Sequence, residues 1–180
     1  IRGMFTFVIW DRNKRELFGA RDHFGIKPFY YAKMNGTFMY ASEIKSLLRH
    51  PDFVKELNAE ALKPYMTFQY PAIGETFFKG VYKLPEGHYF TYRDGKMDIH
   101  RYYDEDFREG KQKLGELVNS IDQTVCDSVK AHQIADVEVG SFLSSGVDSS
   151  YVAAVARPQH TYSIGFGKGT YNESQQAGEL

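Results

Sequence analysis

Glu138-Val139-Gly140-Ser141-Phe142-Leu143-Ser144-Ser145-Gly146-Val147-Asp148-Ser149-Ser150-Tyr151-Val152-Ala153-Ala154-Val155-Ala156-Arg157-Pro158 is the stretch on which the fold of this 180-residue chain turns. Glu138 to Leu143 is a short apolar run with β character, the length and composition of a buried strand. Small hydroxyl residues follow from Ser144 to Ser149, and Tyr151 to Ala156 then reads as a helix stopped by Pro158. His160-Thr161-Tyr162-Ser163-Ile164-Gly165-Phe166 is a second strand candidate. Strand, loop, helix and strand in that order predict a βαβ unit. Its loop lies at the carboxyl end of the first strand, where open parallel sheets bind their ligands.

The loop suits an anion. Gly146 has no Cβ, so backbone N–H groups can approach a phosphate closely. Asp148, Ser149 and Ser150 are good cap residues, and a helix starting there turns its free N–H groups and positive dipole end to the loop. Ser144, Ser145 and Ser149 add hydroxyl donors. Asp148 is wrong for direct phosphate contact and right for magnesium, a hard cation that takes carboxylate and phosphate oxygens together. No lysine lies in the loop and no Gly-Lys-Ser/Thr follows it, so it is not a P-loop; nor does it match G-x-G-x-x-G. An ordinary capped β-to-α turn accounts for an isolated Ser-x-x-Asp and accounts less well for the whole hexad.

Composition narrows the partners. Lysine and arginine number 22 against 23 aspartate and glutamate, giving a net charge of −1 and a pI of about 6.7. That balance exerts no global pull on nucleic acid or an anionic membrane. Residues 1–50 carry nine basic against four acidic side chains, and residues 98–140 five against ten, which reads as differently charged solvated faces. The single cysteine, Cys126, excludes an internal disulfide framework and suits a reducing compartment. No run approaches the roughly 18 apolar residues of a membrane span, and no signal peptide opens the chain. The expectation is a soluble, cytoplasmic protein with no membrane and no nucleic-acid partner.

Upstream, Met4 to Trp10 and Glu16 to Arg21 read as a hairpin, and Phe29-Tyr30-Tyr31 pairs with Thr37 to Ala41 across the Asn35-Gly36 turn. Ser42 caps a helix over Glu43 to Leu48, and Asn58 a short one ending at Pro64. Phe77 to Leu84, His88 to Tyr92 and Met97 to Tyr103 are further strands, separated by turns at Pro85-Glu86-Gly87 and Arg93 to Lys96. The 28 aromatic residues fall mostly in strands and read as core. Arg21-Asp22-His23 has no nucleophile beside it and reads as a structural salt bridge. His88 and His100 lie one hairpin apart and could face each other, without the further ligands that zinc needs. Leu114, Leu117, Val118, Ile121, Val125 and Val129 mark an amphipathic helix expected to cover the sheet that begins at Val139. Cys126 sits beside that stripe and reads as inert. An amino terminus at Ile1, inside a strand pattern, suggests a piece of a longer chain.

Ser144-Ser145-Gly146-Val147-Asp148-Ser149 resembles the S-G-G-x-D-S pyrophosphate loop of the N-type ATP pyrophosphatases, the family that includes asparagine synthetases. Ser145 stands where that family usually has its first glycine, which requires a negative φ there. Independently, Gly3-Met4-Phe5, Arg21-Asp22-x-x-Gly25-Ile26-Lys27-Pro28-x-Tyr30-Tyr31 and Ala41-Ser42-Glu43-Ile44-Lys45 resemble the later part of the glutaminase domain of asparagine synthetases. Lys83-Leu84-Pro85-x-Gly87-His88 and Arg101-x-Tyr103 are similar to their interdomain segment. The glutaminase nucleophile of that family is a cysteine at the mature amino terminus. It has no counterpart here, so no catalytic residue is assigned and the chain should not itself hydrolyse glutamine.

The resemblance implies a mixed fold, α+β and then α/β. Residues 1–97 would be the C-terminal strands of an N-terminal-nucleophile glutaminase αββα sandwich. Residues 98–180 would be the first helix and βαβ unit of an adenine-nucleotide α-hydrolase-like parallel sheet. It implies ATP-dependent amidation of aspartate with glutamine-derived ammonia through a β-aspartyl-adenylate, releasing AMP and pyrophosphate. Leu143, Ser144, Ser145, Gly146, Val147, Asp148, Ser149 and Ile164 would bind ATP and its pyrophosphate, and Asp148 the magnesium. Small molecules would be the partners (ATP, aspartate, glutamine or ammonia), and a homodimer is a possible assembly. Two alternatives stay open: an adenylating synthetase of the β-lactam synthetase kind, and a non-catalytic structural fragment.

Overall fold

The computed structural model describes residues 1–70, 73–165 and 174–179. Its contacts divide into two compact units, Ile1–Phe107 and Arg108–Leu180. No helix among the described residues is long and apolar enough to cross a membrane.

The first unit holds two antiparallel sheets. One orders β1 (Thr6–Asp11), β2 (Glu16–Arg21), β6 (His88–Arg93) and β7 (Lys96–Arg101) as β1-β2-β6-β7. The other orders β3 (Tyr30–Met34), β4 (Thr37–Ala41) and β5 (Val81–Lys83) as β4-β3-β5. Both tight hairpins have left-handed pairs at their tips: Asn35 and Gly36 at φ 50° and 81°, Asp94 and Gly95 at 51° and 77°. That is the type I′ geometry whose twist matches the flanking strands. The strand at 96–101 carries the first sheet past position 97, where the sequence places the domain junction.

Period-two alternation splits the side chains of β4 between two cores. Met39 packs with Ala32, Val81 and Leu47, the last on the short helix α1 (Ile44–Leu47), on one face of the smaller sheet. Phe38 turns the other way and stacks on Tyr92 of the larger sheet at 4.2 Å between ring centres. There Phe29, Leu84 and Phe90, at most 2 % exposed, form the core shared by the two sheets.

The loop from Asp22 to Lys27 is built by two buried side chains. Arg21 donates to the carbonyls of Gly25, Lys27 and Leu84, the last at 2.6 Å. Asp22 accepts from the N–H groups of Ile26 and Lys27, both at 2.9 Å, and of Phe24. The expected salt bridge is therefore corrected: each charge is satisfied by backbone dipoles, which the tight loop brings within reach. Gly25 sits at φ 63°, and a Cβ there would lie 2.7 Å from the Arg21 guanidinium, so only glycine fits. His23 packs against Tyr103 at 4.3 Å between ring centres and takes no catalytic geometry.

Other expectations shift. Glu43, not Ser42, is the N-cap of α1, and no side chain bonds its first turn. The helix α2 (Ala59–Phe68) runs through Pro64, and its cap residue Asn58 turns its amide to the Thr76 carbonyl instead. Within Phe77 to Leu84 only Val81–Lys83 forms a strand. His88 and His100 do not face each other: the register pairs His88 with Arg101 and Tyr89 with His100. His100 stacks on Tyr89, its cross-strand neighbour.

In the second unit, α3 (Leu114–His132) precedes β8 (Ser141–Phe142), α4 (Val147–Ala156) and β9 (Thr161–Tyr162), and α5 (Ser174–Ala177) follows. β8 and β9 pair in parallel, Ser141 with Thr161 and Phe142 with Tyr162, so strand, helix and strand form the βαβ unit. The paired strands are much shorter than their apolar runs, and Phe142 is 78 % exposed rather than buried. No third strand among the described residues extends this sheet. Phe166 lies outside the described residues. On α3 the apolar stripe is buried only toward its end: Val129 is covered, whereas Leu114, Leu117, Val118 and Ile121 are exposed. Val125 and Val129 share a cavity with Val139 and Gly140 and with Val152 of α4, so this end of the stripe does face the start of the sheet.

Candidate functional site

The site is the bend from β8 into α4. Leu143 closes the strand pair, its N–H donating to the Tyr162 carbonyl at 2.9 Å. Its carbonyl accepts the Ser163 hydroxyl at 2.7 Å, which ties the exits of the two strands together. Both strand exits therefore lie side by side, and the loop leaves from one of them. Ile164, one residue beyond Ser163, is 69 % exposed and belongs to no buried core among the described residues.

Ser144 and Ser149 brace the loop from inside. Their hydroxyls lie 2.8 Å apart, and the Ser149 hydroxyl also contacts the carbonyls of Ser144 and Gly146. The Gly146 N–H donates to the Ser144 hydroxyl at 3.2 Å, the distance at which a Cβ on Gly146 would also meet it. A side chain at 146 would thus press on the brace. Ser145 is not among the residues at positive φ, so serine sits there without backbone strain.

The helix starts one turn earlier than its sequence suggests. Gly146, extended at φ −74° and ψ 150°, is the N-cap of α4, and Asp148 falls in the first turn. The expected caps point elsewhere: the hydroxyls of Ser149 and Ser150 donate back to the Gly146 carbonyl, which places them inside the turn. The N–H groups of Val147, Asp148 and Ser149 have no intrahelical acceptor by construction, and they open toward the loop. Helix N-termini of this kind favour negative charge.

The Asp148 carboxylate is exposed, and no described residue bonds it. Among the described residues no group of three or more His, Cys, Asp or Glu could hold a metal. One exposed carboxylate without a partner among the described residues suits a magnesium ion that keeps most of its waters better than a resident metal held by several side chains.

Sequence reasoning missed the two contacts that hold α4 in place. The Tyr151 hydroxyl donates to the Asp122 carboxylate of α3, and Gln133, the C-cap of α3, donates to the Ala156 carbonyl at 2.6 Å. These partners are 29 and 23 residues apart, beyond any local pattern.

A two-sheet antiparallel unit followed by a βαβ unit defines a composite chain. The chain belongs to the glutamine amidotransferase domain family, whose family model matches residues 1–103, more than half of its length. Residues 120–180 match the asparagine synthase family model. The chain is 40% identical over 184 residues to the glutamine-hydrolyzing asparagine synthetase 1 of Bacillus subtilis (strain 168), covering 99% of this chain and 29% of that protein. It is 37% identical over 190 residues to a putative glutamine-hydrolyzing asparagine synthetase of Mycobacterium tuberculosis, covering 96% and 28%. It is 34% identical over 164 residues to Amidase chry2 of Gibberella zeae, covering 86% and 23%. The chain thus spans less than a third of the length of these relatives.

Proposed function

We propose that this chain is the junction segment of a glutamine-dependent asparagine synthetase. Its first unit would be the later strands of an αββα amidotransferase sandwich, and its second the opening of an adenine-nucleotide α-hydrolase-like sheet. The observation that carries the reading is the bend at 144–149. It leaves a parallel strand at its carboxyl end, opens α4 with three amides that lack intrahelical acceptors, and presents an exposed carboxylate with no partner among the described residues.

In this reading aspartate attacks the α-phosphorus of ATP through its β-carboxylate, the bond to the β-phosphate oxygen breaks, and pyrophosphate leaves. Ammonia then attacks the acyl carbon and AMP departs with its phosphate oxygen, leaving asparagine. The residues here serve the leaving group. The amides of Val147, Asp148 and Ser149 would receive the pyrophosphate charge, and the braced hydroxyls of Ser144 and Ser149 fix where those amides point. Asp148 would hold magnesium, whose charge eases departure of the pyrophosphate. Leu143 and Ile164, at the two strand exits, offer apolar surface on which an adenine ring can lie.

Pyrophosphate release by the full-length protein tests this, with ATP, magnesium and ammonia and each amino acid in turn. Release should depend on aspartate. Asp148→Ala should lower it about a hundredfold or more while glutamine hydrolysis stays within about twofold. Equal loss of both activities would remove the role given to Asp148. A second reading is an adenylating amidotransferase for a different carboxylate, since a relative at 34% identity carries a name other than asparagine synthetase. Release that depends on another substrate would select it.

A further inference from the structure

Two hydrogen bonds pin α4 to α3, one at the middle of α4 and one at its end. At the middle, the Tyr151 hydroxyl donates to the Asp122 carboxylate, and the Cys126 thiol lies 4.0 Å from the same oxygen. At its end, Gln133 donates to the Ala156 carbonyl at 2.6 Å. Between the pins packing is loose: Val125 and Val129 of α3 and Val152 and Ala156 of α4 line a cavity of about 530 Å³. Side chains that line such a half-open groove do not interlock across it and constrain one another weakly. The placement of α4 against α3 therefore rests on the pins more than on interlocked side chains.

The first pin lies two residues beyond the loop. Ser150, its neighbour, donates to the Gly146 carbonyl at 2.7 Å, and Ser149 bonds Ser144, so a rotation of α4 at Tyr151 is passed directly into the bend. We propose that Tyr151 and Asp122 are positioning residues for the pyrophosphate loop, fixing the direction of the Val147, Asp148 and Ser149 N–H groups. The proposal rests on the nucleotide reading above. A phenol donating to a carboxylate makes a charge-assisted bond, roughly twice as strong as a neutral one. The hydrogen bond to Asp122, followed by desolvation, pushes the Tyr151 phenol up to about 12, so it remains the donor throughout the neutral range.

The test is steady-state pyrophosphate release by the full-length protein, with ATP varied and melting temperature recorded for each variant. Tyr151→Phe and Asp122→Ala should each raise KM for ATP about tenfold with kcat within about twofold, because the loop binds the phosphates before and during reaction. The double variant should be no worse than either single one, since both remove the same bond. Asp122→Asn keeps an acceptor oxygen and should restore most of the affinity. Should Tyr151→Phe fail to fold, the comparison of Asp122→Asn with Asp122→Ala decides. Lower melting temperature with KM for ATP unchanged would make the pair a mere fastener and overturn the proposal. Asp148→Ala separates the two failures: if it leaves pyrophosphate release intact, the nucleotide reading itself falls and the positioning role with it.

Discussion

Asp22 shows how much one buried carboxylate can organise. Burial by itself would raise its carboxyl, yet the N–H groups of Lys27, Ile26 and Phe24 donate to it and hold it below the ordinary carboxylate value. Beside it, desolvation draws the Arg21 guanidinium down, opposed by the nearby charges of Glu86 and Asp22. Arg21 still makes three carbonyl contacts and cannot lose its proton in the working range. The sign of the linkage follows from the depressed Asp22 value. Its stabilisation is complete above the unfolded carboxyl value of about 3.9 and is lost as pH falls through the lower folded value. Asp22→Asn removes the charge and points an amide at N–H donors, which should cost about 2 kcal/mol at neutral pH. Denaturant midpoints of both proteins should differ by a constant amount above the unfolded value of about 3.9 and converge only as pH falls below it. A gap that stays constant below that value too would mean the loop does not depend on the ionised form.

Among the elements, α2 departs most from its sequence. Proline reads as a terminator, yet the helix continues from Pro64 to Phe68 and ends only where Gln69 turns left-handed at φ 61° and bonds the Tyr65 carbonyl. The missing N–H leaves the Glu60 carbonyl without its helical donor, and the ring crowds that same carbonyl. Pro64→Ala should therefore raise the urea midpoint, by about 1 to 3 kcal/mol in free energy. A lower midpoint would show that restriction of the unfolded chain by proline outweighs the lost bond. The hairpins were legible because their information is local: Asn35-Gly36 sets the turn, and alternation along β4 assigns Phe38 and Met39 to opposite faces. Sheet order was not legible, because the contacts that make it are distant in sequence. Arg21 reaches the Leu84 carbonyl across 63 residues, and Tyr102 reaches the Arg21 carbonyl across 81. The βαβ order and the loop from Ser144 to Ser149 could be read from residue types alone. The helix start could not, because the Ser149 and Ser150 hydroxyls can either accept from helix N–H groups or donate to a carbonyl, and they donate to that of Gly146.

At the scale of the molecule, burial is uneven. Eleven apolar residues are buried among the described ones, nine of them in Ile1–Phe107 and only Val129 and Ala177 in Arg108–Leu180. Apolar burial is the dominant favourable contribution to folding, so the two units should differ in stability by more than their sizes suggest. The second unit has a two-strand sheet with both partners exposed and a cavity between its helices, features that place a region at the low end of local stability. Hydrogen exchange of the 180-residue chain should then show the amides of β2 and β6, central in a four-stranded ladder, as the slowest. Those of α3 and α4 should exchange faster by about a hundredfold or more, through opening of the second unit alone. Urea unfolding followed by two probes, one for each unit, should give non-coincident transitions. Uniform protection and coincident transitions would instead mean that the units unfold as one.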